Sequence, residues 1–100
     1  MSGQNVFLVF CELSGSSPPL LNKGYAGAFV TCLVATEDII DAIEQATTAL
    51  DDDDYIVTDI DKAIRFDADE WKHDDEIIAL AVEVTSDQLL RYSRLNTWGH

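Results

Sequence analysis

The chain has 100 residues, 47% of them hydrophobic and 25% charged, with a formal net charge of −13. That length suits one domain with a core of its own, and the apolar fraction excludes a disordered acidic tail. The negative charge argues against direct binding to nucleic acid or to an anionic membrane, since both are polyanions.

Asn5–Glu12 is rich in β-branched and aromatic residues and nearly continuous in hydrophobicity, which predicts a strand buried on both faces. The apolar run Val6–Cys11 is too short for a signal h-region or a membrane span, and no basic leader precedes it. A cytoplasmic protein is therefore expected. Leu13–Gly24 contains Gly15, Ser16, Ser17, Pro18, Pro19 and Gly24, residues that supply turns or remove backbone donors, and reads as a loop. Gly27–Ala35 reads as a second strand. Cys11 and Cys32 each sit inside an apolar run, as buried free thiols rather than a disulfide framework.

Thr36 has the form of a helix N-cap, with Glu37 and Asp38 in the first turn. Ile39, Ile43, Ala46 and Leu50 then form one apolar stripe. The helix is expected to stop at Asp51–Asp54, where four carboxylates meet the negative end of its dipole. Tyr55–Asp61 reads as a third strand, which Ile64 and Phe66 could extend, and Asp67–Asp75 as an exposed acidic loop around Trp71.

Glu76–Val84 fits a strand with Ile78, Leu80, Val82 and Val84 on one face. It also fits a helix continuing to Leu95. The β-branched content favours the strand, and Thr85 with Gln88 resembles a capping box that would open a second helix. Tyr92, Leu95 and Trp98 would lie at helical spacing on it, with Arg91 and Arg94 suiting its last turn.

On this reading the halves repeat a strand–strand–helix pattern at an offset of 49 residues. The expected fold is α+β: one four-stranded, mainly antiparallel sheet with two helices on one face. Three strands with a long C-terminal helix from about residue 75 is the alternative. A sheet covered on one side only would need a partner for the other, so a homodimer is a further expectation.

Eighteen of the nineteen acidic residues fall between Glu37 and Asp87, where the only basic residues are Lys62, Arg65 and Lys72. Asp59, Asp61 and Glu70 match positions one, three and twelve of a calcium loop. Ala63 and Ile64 stand where that loop needs a ligand and a glycine, so no calcium site follows. His73 has carboxylates on both sides, but no His-x-x-x-His or Cys-x-x-Cys pattern supports a metal, and no cofactor is expected. No nucleophile setting or phosphate-cradling glycine loop is present, and carboxylate pairs are too numerous to single one out, so an enzyme is not expected.

The acidity does suit a basic protein partner. Asp51, Asp52, Asp53 and Asp54 form one compact cluster. Asp67, Asp69, Glu70, Asp74 and Asp75 form a second around Trp71, with Trp71 as the anchor. The expected role is that of an acidic, non-catalytic binding protein that blocks a basic surface, such as an immunity or inhibitor protein for a toxin or nuclease. A homo-oligomeric scaffold or regulatory domain is the alternative.

Overall fold

The computed structural model describes residues 5–99. Strand β1 (Val6–Ser14) pairs antiparallel with β2 (Tyr25–Ala35) on one side and with β3 (Val57–Arg65) on the other. Helix α1 (Ile39–Asp52) joins β2 to β3, and α2 (Asp75–Asp87) joins β3 to the short strands β4 (Arg91–Tyr92) and β5 (Asn96–Gly99). Both short strands pair antiparallel with β2, so the sheet runs β3-β1-β2 and then β4 and β5. The class is α+β, an antiparallel sheet with two helices.

The placement of the helices differs from the sequence reading. Strand side chains alternate between faces. Phe7, Val9, Cys11 and Leu13 of β1 join Ala28, Val30, Cys32 and Val34 of β2 in one core, which Ala42, Ala46 and Leu50 of α1 close. Val6 and Leu8, with Leu33, face the other way and meet Ile77, Ala81 and Val84 of α2. The helices therefore cover opposite faces, as a sheet with two continuous apolar central strands requires. The uncovered face that suggested a homodimer is occupied over these residues by α2.

Glu76–Val84 is helical, which also removes the strand–strand–helix repeat. In helical register Ile77, Ala81 and Val84 fall on one stripe and are buried, whereas Val82 is 64% exposed. The start signal is Asp74, whose Oδ1 accepts from the Ile77 amide at 3.1 Å. Asp75 and Glu76 follow in the first turn, where the dipole favours them. Thr85 and Gln88 sit at the end of this helix, not the start of another. Gln88 is its C-cap, in the left-handed region at φ 62°, and its side-chain amide donates to the Thr85 carbonyl. This ends α2 well before Leu95, so the long C-terminal helix does not form: Tyr92 lies on β4, Trp98 on β5 and Leu95 between the two strands.

Two smaller boundaries also move. The N-cap of α1 is Asp38, accepting from the Ile40 amide at 3.0 Å, while Thr36 is buried and donates to Asp41 at 2.8 Å. Within the expected loop, Leu13 and Ser14 continue β1, and Pro18–Lys23 form a 3-10 turn. That turn plugs the open end of the α1 core with Leu20, and the buried Ser17 hydroxyl accepts from the Ile56 amide at 2.8 Å.

Strand β3 is an edge, and its pairing with β1 slips between Phe10 and Cys11 and again between Glu12 and Leu13. These slips leave Asp61 and Thr58 as extra residues, so Val57, Ile60 and Ala63, three apart rather than two, all reach the α1 core. Bulges and exposed charges on an edge strand deter pairing with another chain.

Candidate functional site

The first acidic cluster ends α1. Asp51 and Asp52 are its last exposed residues, Asp53 is the C-cap, and Asp54 turns the chain at φ 69°. Asp53 accepts from the Tyr92 hydroxyl at 2.8 Å. Asp51, Asp52 and Asp54 accept no side-chain hydrogen bond and form no ion pair among the described residues. Like charge at the negative end of a helix costs stability, and neither helix carries a basic residue in its last turn. Asp51 borders a surface depression with Tyr55 and Val57.

The second cluster is on the opposite face and is less uniform than its sequence suggests. Asp67 accepts from the Asp69 amide at 2.9 Å, forming a local turn, and Asp74 caps α2. Asp69, Glu70 and Asp75 are exposed and without side-chain partners among the described residues. Trp71 is half-buried and stacks on Phe10, with ring centroids 6.0 Å apart and planes 23° from parallel. It is at once a core contact and the wall of an open cleft.

That cleft, of about 440 Å³, lies beside the start of α2. Phe10, Phe29 and Trp71 supply its aromatic surface, and Asp61, Asp74 and Glu76 its carboxylates. Arg94 stands on the far wall. Its backbone amide donates to Glu76 at 2.6 Å, but its guanidinium forms no ion pair among the described residues. The two ion pairs among the described residues both belong to Arg91, bonded to Glu83 at 3.1 Å and to Asp87. Lys62 places its ammonium 5.0 Å from the Phe10 ring centroid, so a cation already rests against this aromatic surface. Phe29, 48% exposed, is backed by Trp98 at a centroid distance of 4.7 Å.

The two clusters are thus not brought together on one face. Exposed Asp59 and Asp61 of the β3 edge lie between them in the chain, and Asp61 reaches the Trp71 cleft. Sequence reading left Phe10, Phe29 and Asp61 out of the site. Phe10 and Phe29 looked like ordinary strand residues, and only the pairing of β1 with its neighbours shows that both face the α2 side. Asp61 is in the site because it is the extra residue of a bulge. His73 is exposed, and Asp59 and Asp61 belong to a strand rather than a loop. His100 lies outside the described residues.

Both cysteines are free and buried. The Cys32 thiol is pushed far up by the hydrogen bond and negative charge of Cys11 and by burial, while its own donated bond favours ionisation at Cys11 first. Neither offers an exposed nucleophile. No helix among the described residues is long and apolar enough to cross a membrane.

No family model matches the chain, and no curated protein or solved structure matches it either.

Proposed function

We propose that this is an acidic, non-catalytic binding protein that occludes a basic protein surface, as an immunity or inhibitor protein does for a toxin or nuclease. The observation that carries the reading is the run Asp51–Asp54 at the C-terminus of α1. Three of its four carboxylates have no side-chain partner among the described residues, and they stand where the helix dipole makes them costly. Charge retained against folding stability is what a surface kept for a cationic partner looks like. Asp69, Glu70 and Asp75, exposed and without side-chain partners among the described residues, extend the negative surface around Trp71.

The test is affinity capture from the source cells at low salt, elution by a salt gradient, and assay of the eluted protein's activity with and without this chain. The reading expects a basic protein whose activity is blocked. Changing Asp51 and Asp52, or Asp69 and Glu70, to lysine should abolish the block while the fold is retained. Capture that is indifferent to both salt and charge reversal would count against it.

A homo-oligomeric role has one observation in its favour. An apolar groove of about 310 Å³ runs along α2 between Phe66, Ile78 and the exposed Val82. A monomeric mass by light scattering at tens of micromolar protein would remove this second reading.

A further inference from the structure

We infer that the cleft beside Trp71 is the seat for one arginine side chain of the basic partner; the inference rests on the binding role proposed above and assigns its point of engagement. Two properties select a guanidinium. The near-parallel Phe10 and Trp71 rings and the half-exposed Phe29 offer flat aromatic surface, on which a planar, weakly hydrated cation stacks better than a hydrated ammonium. Asp61, Asp74 and Glu76 approach the cleft from β3, from the cap of α2 and from its first turn, so acceptors surround the occupant from separate elements. A forked donor can bond two of them at once. Lys62 holds its ammonium over the Phe10 ring, 5.0 Å from the centroid, so the incoming guanidinium displaces or shares that ring with the chain's own cation.

Spare acceptor capacity remains in all three carboxylates. Asp74 uses Oδ1 for the Ile77 amide and Glu76 uses Oε2 for the Arg94 amide, which leaves one oxygen on each, and Asp61 has no side-chain partner among the described residues. Arg94 is exposed on the wall and unpaired among the described residues, so its charge opposes a second cation.

The experiment is a titration of the ¹⁵N-labelled protein with amidated tetra-arginine and with tetra-lysine at low salt, followed through the Trp71 indole N–H and the backbone amides. Tetra-arginine should shift the Trp71 indole and the Thr31 and Ile77 amides saturably, and bind more tightly than tetra-lysine. Asp61→Asn, on an exposed bulge, should weaken arginine binding by about five-fold, against less than about two-fold for Glu44→Gln on the outer side of α1. Arg94→Ala should tighten binding more than Arg65→Ala does, although both remove one positive charge. Shifts spread evenly over the acidic surface, or equal effects of Asp61→Asn and Glu44→Gln, would overturn the assignment. The two proposals fail separately. Saturable arginine binding with no basic protein captured from the cell sinks the inhibitor role and leaves the cleft. A captured partner whose affinity is unmoved by Asp61→Asn sinks the cleft and leaves the role.

Discussion

Gly27 is the residue at which β2, β1 and the C-terminal strand converge. A Cβ there would meet the Trp98 ring at 2.4 Å and the Leu13 carbonyl at 2.9 Å. Gly27→Ala should therefore expel Trp98, release Phe29 and cost about 2 kcal/mol in chemical denaturation, with Trp98 fluorescence shifting to the red. Tyr92 offers a pH test. Burial and its bond to Asp53 raise its phenol above the ordinary value of 10.0. A raised acid holds its stabilising contribution below the unfolded pKa and loses it as pH climbs toward the folded one. Melting temperature should thus fall from about pH 10 upward, and Tyr92→Phe should flatten that limb. Asp87 has the opposite sign. The Leu89 amide and then Arg91 hold its carboxyl below the usual 3.8. Its contribution is present at neutral pH and lost as pH falls through the lowered pKa, so the stability gap between wild type and Asp87→Asn should close only below 3.8. The absence of a left-handed penalty for glycine makes a further prediction at Asp54, whose φ is 69°. Asp54→Gly should stabilise the fold by about 0.5–1 kcal/mol while weakening partner binding, since it removes both strain and charge.

At the scale of elements, α1, β1 and β2 were legible because each carries one clear period or a continuous apolar run. Helix α2 was misread for a physical reason. Ile77, Ile78, Val82 and Val84 favour strands by propensity, but propensity yields to burial, and Ile77, Ala81 and Val84 bury on one helical stripe. The deciding signal is Asp74 before Asp75 and Glu76, a cap and an acidic first turn, of which Asp74 and Asp75 read equally well in sequence as part of the acidic cluster around Trp71. Conversely, β3 hid its inner face because two bulges replace the two-residue period with steps of three. The acidic clusters were legible as clusters, whereas the cleft was not, since its floor comes from strands distant in sequence. The assignment of α2 has a direct check. Val84→Ala, at a fully buried position, should cost about 1.5–3 kcal/mol, and Val82→Ala, on the exposed side, less than about 0.5 kcal/mol. A strand would have made the two positions equivalent.

For the whole molecule, the two faces of one sheet are closed by separate helices, so the fold does not need a second copy to bury β1 and β2. What is left over is charge. A net −13 on 100 residues opposes compaction through self-repulsion, and at low salt it raises the encounter rate with a cation. The same salt that screens self-repulsion screens association, so stability and affinity should move in opposite directions as ionic strength rises. The decisive measurement is the dissociation constant for the basic protein eluted in the capture experiment, taken between low and high salt for wild type and for the Asp51→Asn, Asp52→Asn, Asp69→Asn, Glu70→Gln variant. Affinity should fall by about a hundred-fold for wild type across that range, and by much less for the variant, which begins weaker. An affinity that is flat with salt, or identical in the two proteins, would contradict the account.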